Sequence, residues 1–445
     1  MNKILPTILV SALAFAQPNA ADRHVIVISL DGFPAYALHD RTIPLPVLRE
    51  LSRTGAVAEA MTPVNPTVTW PNHTSMVTGV GPDQHGVIYN GLPVRDGDGK
   101  PVRVEEWVDK AKLVTAPTVY DAAHEAGLTT AEVDWVAIYH ARSIDWSFAE
   151  IPSPDGTIER EMLASGEITD QELRSWNNEP ITLRDDVWTR AAVHIIEKHK
   201  PNLCLFHLLT TDSVQHQDGA RTLAANTALI LADRQIRRML DAADRAGISS
   251  STTILVVSDH GFTTYRHVIR VNALLREKGL LHDDSGQIAC AAWAVAEGGT
   301  AMVYFTRASQ RETTSHALQE MLPHVPGIAR IIMPADYSRF GYPSDAGKGR
   351  MADMVVVAAP GYAFDGGTTG DVVTDVPKGA SPGAHGFLNS DPDMAAILVA
   401  WGAGIRPGVH LPVIRNTSVA PTIAKLLDLG SFESNAPVPD GLIDK

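Results

Sequence analysis

The stretch that decides the fold is HVIVISL, which runs from His24 to Leu30. It is apolar on both faces rather than at alternate positions, which is typical of a strand that helices cover on both sides. Four similar runs follow along the chain, at residues 203–209, 252–258, 353–359 and 395–401. We expect these runs to be strands of a mostly parallel sheet.

Helical patterns alternate with these runs. The predicted helices span residues 117–126, 183–199, 221–246 and 416–429. This alternation predicts an α/β fold, a three-layer sandwich with the sheet in the middle. Residues 262–382 are less regular, and they include a short predicted helix near 272–278 and the run at 353–359. We interpret this segment as a smaller lobe inserted into a single domain that spans residues 22–445.

Residues 1–16 have the pattern of a signal peptide. Lys3 supplies a positive charge, residues 4–13 are mostly apolar, and the AFA sequence at 14–16 offers small residues for cleavage. A buried first strand or helix is the less favoured alternative. No later stretch approaches the roughly 18 uninterrupted apolar residues that a membrane span needs. We therefore expect a protein without a membrane span that is exported to the periplasm or secreted.

The charge and cysteine content narrow the function classes. The chain has 51 acidic and 37 basic residues, a formal net charge of −14. This balance disfavours binding of nucleic-acid polymers, which need a basic face, but local cations can still attract a small anionic substrate. Cys204 and Cys290 are the only cysteines, so a disulfide framework is excluded, although the sequence leaves open whether these two pair.

Acidic side chains follow three of the predicted strands at their C-terminal ends: Asp31, Asp212 and Asp259. His216 comes four residues after Asp212, and His260 directly follows Asp259. Each residue alone is more often a turn former or an ordinary histidine. Open α/β sheets, however, bind ligands beyond the carboxyl ends of their strands, and carboxylates that meet there repel one another unless a cation neutralises them. The joint pattern therefore predicts a metal site.

The donors divide into two sets once His385 is added, which lies between glycines in GAHGF. Asp31, Asp259, His260 and the Thr69 hydroxyl can fill one tetrahedral site, and Asp212, His216 and His385 give a second site with an open position. Nitrogen and oxygen ligands without thiolate suit two zinc ions per chain, with manganese or iron as competitors. Two such ions can clamp a phosphoryl group.

Thr69 lies in TVTWPNH, just before the helix predicted at residues 72–78. Two interpretations stay open at this point, a capping residue, as most such threonines are, or a nucleophile. Metal coordination makes a hydroxyl a better nucleophile, and the positive end of the helix favours a bound phosphate. Asn90 could donate its amide to a phosphoryl oxygen as charge develops.

Five groups of motifs, taken together, resemble the alkaline phosphatase superfamily, and in particular its nucleotide pyrophosphatase/phosphodiesterase branch. They are LDG at 30–32, TVTWPNHTSMVTG with PDQHGVIYN at 67–90, DSVQH at 212–216, SDHGF at 258–262 and GAHGF at 383–387. They occur in the order of that family and span nearly the whole chain after the predicted signal peptide. LDG or SDHG alone would be a weak signal, whereas the set is specific.

The resemblance implies a catalytic α/β domain over residues 22–445, with two zinc ions and a phospho-threonine intermediate. Thr69 matches the nucleophile, and Asn90 matches the phosphoryl-binding asparagine. One metal set is matched by Asp31, Asp259 and His260, and the other by Asp212, His216 and His385. His73 and His85 also lie in matching motifs, and we assign them structural roles because both ligand sets are already filled.

The substrate is less well defined by the sequence. The segment at residues 133–148 is expected to line the pocket, with Tyr139, His140 and Arg142 as candidate substrate-binding residues beside Trp70. Arg142, with His140, could contact the terminal phosphate of a monoester, but an exposed loop arginine is an equally good interpretation. Trp70 and Tyr139 could stack on a base or simply pack.

The leading hypothesis is an exported di-zinc phosphodiesterase that acts on small phosphate esters such as nucleotides. A phosphomonoesterase and a phosphonate hydrolase on the same scaffold are the alternatives. A sulfatase is disfavoured because TWPNH at 69–73 lacks the oxidisable residue and the arginine of the sulfatase nucleophile motif. A catalytically dead anion-binding protein is disfavoured because the nucleophile and every candidate ligand are present. The sequence does not indicate an oligomeric state.

Overall fold

The structure is a computed structural model that describes residues 22–284, 286–344, 349–430 and 432–444. Its two main sheets contain the strands β1 His24–Leu30, β2 Ala56–Ala58, β3 Thr130–Val133, β4 Trp146–Phe148, β5 Leu203–Leu208, β6 Thr252–Val257, β7 Ala292–Ala296, β8 Thr300–Phe305, β9 Ile328–Ile332, β10 Met354–Ala358, β11 Leu398–Gly402 and β12 Val409–Leu411. The predicted signal peptide, residues 1–16, lies outside the described residues.

The central sheet has eight strands in the order β12-β2-β11-β6-β1-β5-β3-β4. Every pairing in it is parallel except those of β11, which runs antiparallel to both β2 and β6. β1 lies between β6 and β5, and its Ser29 pairs with Val257 on one side and His207 on the other. The prediction of an α/β fold with a mostly parallel central sheet is confirmed.

Helices cover both faces of this sheet. The longer helices of the chain are α1 Pro46–Thr54, α2 Thr69–Thr78, α3 Val119–Glu125, α4 Thr157–Ser165, α5 Ile181–Lys198, α6 Thr210–Asp218, α7 Leu223–Ala246, α8 Val271–Glu277, α9 Arg311–Met321 and α10 Val419–Leu426. Of these, α8 and α9 do not lie on the central sheet but pack against the strands of a second sheet. The shorter ones are Tyr36–His39, Pro82–His85, Lys110–Leu113, Asp170–Arg174 and Tyr337–Phe340. The helices predicted from the sequence correspond to α2, α3, α5, α7, α8 and α10, and α2 begins at Thr69 rather than at the predicted Asn72.

The side chains of β1 explain the three layers. Ile26, Ile28 and Leu30 belong to a buried cluster that includes side chains of α1, α5 and α7. Val25 and Val27 belong to a second buried cluster, which includes side chains of α2, α3 and α10. Burying an aliphatic side chain of this size contributes roughly 1.5–3 kcal/mol. An unbroken apolar run is therefore what a strand between two helical layers needs.

A second sheet has the order β7-β8-β10-β9 and is antiparallel throughout. All of its strands lie within the segment 262–382 that the sequence predicts as an inserted lobe. The expectation that the runs at 353–359 and 395–401 are parallel strands was wrong. The first forms β10 in this second sheet, and the second forms β11. Both strands have neighbours on each side and are largely buried, so their apolar pattern resembles that of a parallel strand.

Small sheets complete the fold. They pair Met61–Thr62 with Ile414–Arg415, Leu92–Arg95 with Val102–Glu105, Thr263–Thr264 with Gly383–Ala384, His267–Ile269 with Tyr362–Phe364 and Val373–Asp375, and Leu281–Asp284 with Gln287–Cys290. Cys204 and Cys290 are both buried free thiols. Among the residues that the structure describes, every helix is too short or too polar to span a bilayer.

Candidate active site

Three carboxylates meet at the C-terminal edge of the central sheet. Asp31 directly follows β1, Asp259 is the second residue after β6, and Asp212 lies in the first turn of α6, just after β5. Because β1 is hydrogen-bonded to both β5 and β6, the ends of these strands lie side by side. Asp31 and Asp259 are at most 1% exposed, and the Asp212 side chain is 15% exposed. The fold thus concentrates three acidic groups in a small, poorly hydrated volume.

Histidines surround these carboxylates in two adjoining groups. In the first, His216 Nε2 and His385 Nε2 lie 3.5 and 3.7 Å from Asp212 Oδ1. In the second, His260 Nε2 lies 3.5 Å from Asp31 Oδ1 and 3.1 Å from Asp259 Oδ2. The rings of His260 and His385 stack with their centroids 3.9 Å apart, which joins the two groups.

The division between the two groups differs in one respect from the predicted ligand sets. Candidate ligand atoms of Asp212, His216 and His385 lie within 4.8 Å of one another, as the sequence predicts for one set. Ligand atoms of Asp31, His260 and Asp212 also lie within 4.8 Å of one another. Asp212 therefore stands between the two groups, with an oxygen near the ligand atoms of each.

The buried negative charges of the site favour the binding of cations. Asp31 Oδ1, Asp212 Oδ1, Asp259 Oδ2 and His260 Nε2 are buried, and none has a hydrogen-bond partner among the described residues. Burial, followed by repulsion from Asp259 and Asp212, raises the pKa of Asp31 well above its ordinary value. Ionised carboxylates in such a place are costly unless a positive charge joins them. Carboxylate oxygens and imidazole nitrogens are ligands that metal ions such as zinc take in proteins, so the residues fit bound metal ions.

His385 is held in the form that a metal needs. Burial, with the neighbouring His260 and His216, lowers the pKa of His385 well below its ordinary value, so its imidazole stays neutral. Its Nδ1 lies 3.0 Å from the carbonyl oxygen of Thr67, which accepts a hydrogen bond from the Nδ1–H tautomer. That tautomer leaves the lone pair on Nε2, the atom that faces Asp212.

Thr69 is the first residue of α2, and the start of this helix lies against both groups. Thr67, two residues earlier, binds His385 through its carbonyl oxygen. His73, one turn later, lies 2.9 Å from the Thr69 carbonyl oxygen through Nδ1, and the same nitrogen is 3.7 Å from Asp259 Oδ2. The N-cap residue is Val68, whose side chain makes no capping hydrogen bond. The Thr69 hydroxyl makes no hydrogen bond to any described residue, so the structure does not use it as a cap.

Asn90 is tied to the same helix. Its Oδ1 accepts a hydrogen bond of 2.9 Å from the Trp70 backbone N–H. This contact satisfies one of the first-turn N–H groups that an α-helix leaves without a partner. The amide oxygen is used in this way, whereas the Nδ2 donors have no hydrogen-bond partner within the described part of the chain.

A buried histidine behind the site was missed in the sequence. His207 Nε2 lies 3.1 Å from Asp31 Oδ2, and His207 Nδ1 lies 2.9 Å from the carbonyl oxygen of Asp134 and 3.3 Å from its Oδ2. Burial alone would lower the pKa of His207, but Asp134 and then Asp31 raise it well above its ordinary value. The contact between His207 Nε2 and Asp31 Oδ2 orients the Asp31 carboxylate so that its Oδ1 faces His260. The available signal was a histidine inside the otherwise apolar run at 203–209.

The candidate substrate residues lie in different environments. Trp70 is half-buried and packs against an apolar cluster that includes Val87, Leu113 and Ala137. Tyr139 is 39% exposed, and its ring stacks on that of His140 at 3.8 Å. His140 Nδ1 lies 2.7 Å from Asp109 Oδ1. Arg142 is exposed and has no hydrogen bond or ion pair with any described residue.

The remaining motif histidines differ from each other. His85 Nε2 bonds Ser75 Oγ at 2.9 Å, and its Nδ1 accepts from the Val87 N–H, so its contacts tie the end of one short helix to α2. His73 instead lies next to the carboxylates, and burial lowers its pKa to about 3. Its ring packs against Trp135 and His207. His73 therefore supports the site as a neutral, packed side chain.

Comparison with known proteins gives a consistent family. The chain matches the type I phosphodiesterase / nucleotide pyrophosphatase family over residues 25–388. It is 22% identical over 432 residues to mouse ectonucleotide pyrophosphatase/phosphodiesterase family member 7, which covers 96% of this chain and 87% of that relative. It is 26% identical over 241 residues to mouse family member 1, over 53% of this chain but only 24% of that longer relative.

A solved structure shows the same fold. Murine ectonucleotide pyrophosphatase/phosphodiesterase 5, in an inactive threonine-to-alanine form in complex with AMP, has a TM-score of 0.70 and 17% sequence identity, and the match covers 94% of this chain and 100% of that one. The resemblance drawn from the motifs is confirmed. The chain belongs to the type I phosphodiesterase / nucleotide pyrophosphatase family, a family of metal-dependent phosphoric ester hydrolases.

Proposed function

We propose that this chain hydrolyses small phosphoric diesters, nucleotide-like ones among them, with Thr69 as the nucleophile and two zinc ions as cofactors. One observation carries the proposal. Four buried ligand atoms, of Asp31, Asp212, Asp259 and His260, have no hydrogen-bond partner among the described residues, and they adjoin the helix start that presents Thr69. Cations stabilise ionised carboxylates in a site of this kind, and such cations attract a phosphoryl group.

The candidate ligands are assigned to two cations. Asp31, Asp259, His260 and Thr69 hold one, and Asp212, His216 and His385 hold the other, with Asp212 close to both. Imidazole and carboxylate ligands favour zinc, with manganese and iron as competitors. When bound, the cations supply positive charge that activates the Thr69 hydroxyl and neutralises the phosphoryl oxygens.

Thr69 performs the first displacement in this proposal. Its Oγ bonds to phosphorus, the bond between phosphorus and the leaving-group oxygen breaks, and the leaving group takes up a proton as an alcohol. The resulting phospho-threonine keeps the second ester group of a diester. Water then attacks phosphorus and releases Thr69, whose oxygen regains its proton. Asn90 Nδ2 and the N-terminal end of α2 stabilise charge on the non-bridging oxygens during both steps.

A nucleotide is the favoured substrate class because of what the relatives bind. The inactive murine structure holds AMP, and the other relatives are named as ectonucleotide enzymes. In this chain Trp70 borders Thr69, and Tyr139 presents an exposed ring, so both are candidates for contact with a base. We propose export by the signal peptide at residues 1–16, to the periplasm or the outside.

A diester is favoured over a monoester because of where the basic residues lie. A monoester carries nearly one more negative charge and gains more from an additional cation near its oxygens. His140 is paired with Asp109, and Arg142 is exposed, so neither shows a contact that directs it at the candidate site. The phosphomonoesterase and the phosphonate hydrolase are the alternatives.

The experiment compares rates on matched aryl substrates. The full chain is stripped with a chelator, reloaded with zinc, and assayed on a bis-aryl phosphate, an aryl phosphate and an aryl phosphonate. We expect the highest kcat/KM on the diester, loss of activity on chelation and recovery with zinc. A preference for the monoester would move the function to the first alternative. An active enzyme without any transition metal would refute the metal assignment, and Asp212→Asn serves as the metal-deficient control.

A further inference from the structure

A second cluster of metal-type side chains lies at the opposite edge of the central sheet. Glu161 is on α4, His194 is on α5, and His199 is the residue that follows α5. From there the chain enters β5 at Leu203, whereas Asp212 follows the other end of that strand. The length of β5 therefore separates this cluster from the candidate active site, and nothing in the proposed reaction uses it.

The two histidines converge on one carboxylate oxygen. His194 Nε2 lies 2.9 Å and His199 Nε2 lies 2.7 Å from the same atom, Glu161 Oε2. Candidate ligand atoms of the three residues lie within 4.8 Å of one another. This is the arrangement of two imidazoles and a carboxylate that three-ligand zinc sites use.

Both ring nitrogens of His194 face carboxylate oxygens, which a neutral imidazole with one proton cannot satisfy. Its Nδ1 lies 2.8 Å from Glu167 Oε2, and an Nδ1–H donates naturally to that carboxylate. If His194 is neutral and carries its proton on Nδ1, its Nε2 has a lone pair and can only accept a hydrogen bond. The atom that Nε2 faces, Glu161 Oε2, is an acceptor as well. Two acceptors at 2.9 Å need either a second proton or a cation between them. A carboxylate behind a histidine is also the usual support of a metal-binding imidazole.

The rings are held in place before any ligand arrives. The His194 side chain is 3% exposed, and the His199 ring stacks on Trp146 with centroids 4.6 Å apart and planes 26° apart. Glu161 is 36% exposed, which leaves a side open to solvent for a water ligand. Two carboxylates, Glu161 and Glu167, balance the charge of one divalent cation.

We propose that Glu161, His194 and His199 form a third metal site, which binds zinc and ties α4 to the end of α5. Imidazole nitrogen favours zinc over calcium or magnesium, which prefer oxygen ligands. The site has a structural role, because the cation joins α4 to α5, two helices that pack against each other, and contributes its binding free energy to the folded state.

The test counts zinc in the full chain. Wild-type protein, Glu161→Gln and His199→Gln are saturated with zinc, freed of excess metal by gel filtration and analysed for metal per chain. We expect both variants to bind one zinc ion fewer than the wild type. We also expect zinc at about a hundredfold over its Kd for this site to raise Tm by about 3 °C more in the wild type than in either variant.

The control is His267→Gln. His267 Nδ1 lies 2.8 Å from Asp375 Oδ1, an exposed pair that belongs to no three-ligand group among the described residues. This variant should bind as much zinc as the wild type. Equal zinc content in wild type, Glu161→Gln and His199→Gln would overturn the proposal and assign the cluster to protonated histidines. If one variant misfolds, the zinc content of the other decides the result. Glu161 is partly exposed, so Glu161→Gln is expected to fold.

The result does not depend on the proposed function. Asp212→Asn removes a ligand of the candidate active site and leaves the third site intact. Loss of zinc in Asp212→Asn alone would support only the proposed function, whereas loss in His199→Gln and Glu161→Gln alone would support only the third site.

Discussion

Asn90 offers a variant pair that separates support of the helix from stabilisation of charge. Asn90→Asp keeps an oxygen that can accept the Trp70 N–H, which in the wild type donates at 2.9 Å. It replaces the Nδ2 donors by a negative charge. Asn90→Ala removes both the acceptor and the donors. If Asn90 only supports the helix, Asn90→Asp should stay active. If its amide stabilises charge on the substrate, Asn90→Asp should lose activity.

The magnitudes follow from these contacts. Loss of one donor to a developing oxyanion costs about 10²–10³ in kcat, which is the loss expected for Asn90→Ala. Its free energy of unfolding should also fall by about 1 kcal/mol, because the first turn of α2 loses its acceptor. In Asn90→Asp the carboxylate faces the phosphoryl group. Two like charges about 4 Å apart at an effective dielectric constant of about 20 repel by about 4 kcal/mol, a further factor of about 10³.

We therefore expect Asn90→Asp to be the more stable and the less active of the two variants. The assay is kcat/KM on the aryl diester with zinc, together with chemical denaturation of each protein. Asn202 is the control, since its Oδ1 accepts from the Thr129 N–H and its Nδ2 donates to the Arg23 carbonyl at the other edge of the sheet. Asn202→Ala should lose stability and keep its kcat/KM. An Asn90→Asp variant within tenfold of the wild type would refute the reasoning.

Three further predictions concern other residues. Thr69→Ala should lower kcat on the diester by about three orders of magnitude or more with the fold intact, and Thr69→Ser should keep part of the rate. Near wild-type turnover in Thr69→Ala would identify water as the nucleophile. Arg142→Ala should leave diester kcat/KM within about tenfold, and a hundredfold loss confined to the monoester would reverse the substrate ranking. Burial raises the pKa of Glu132 from 4.5 to about 7, so the stability that its carboxyl contributes is fully present below pH 4.5 and is lost as pH rises through 7. Glu132→Gln should therefore gain up to about 3 kcal/mol over the wild type at pH 8 and nothing at pH 4, as measured by denaturation at both pH values, and a pH-independent difference would contradict the shift.

The parts of the fold that the sequence predicts are those with a strong local signal. The runs that became β1, β5 and β6 are mostly apolar and buried on both faces. Each is followed by an aspartate, and because the three strands are neighbours, the carboxylates had to meet. Long helices such as α7 end at residues that signal a helix terminus, for example Gly247, which readily adopts the left-handed conformation with φ 71°.

The remainder depends on three-dimensional context. β2 is three residues long, and β3 carries Glu132, whose carboxylate accepts from the Trp135 N–H and from Ser147 Oγ inside the fold. Neither strand has an apolar run to reveal it. The direction of β11 could not be predicted, since parallel and antiparallel strands that are buried on both faces have the same composition. His207 resembles a core histidine until Asp31 and Asp134 are seen on either side of it.

The division of the candidate ligands is a second case of this kind. The order of motifs assigns Asp212 to one set, but its oxygen lies within 4.8 Å of ligand atoms in both groups. Sequence spacing does not predict that Asp212 lies between the two groups, because its place depends on the orientation of α6 relative to β1. The neighbours of Arg142 and Tyr139 were also beyond prediction, since both lie in a loop whose path follows no periodic pattern.

The stereochemical course at phosphorus tests the central claim, that Thr69 carries the phosphoryl group between two displacements. A diester made chiral at phosphorus with oxygen isotopes, or with sulfur in place of one oxygen, is hydrolysed by the zinc-loaded chain in isotopically labelled water. Each in-line displacement inverts the configuration. Attack by Thr69 followed by attack by water therefore predicts net retention in the product. Net inversion would show a single displacement by water and would contradict the account.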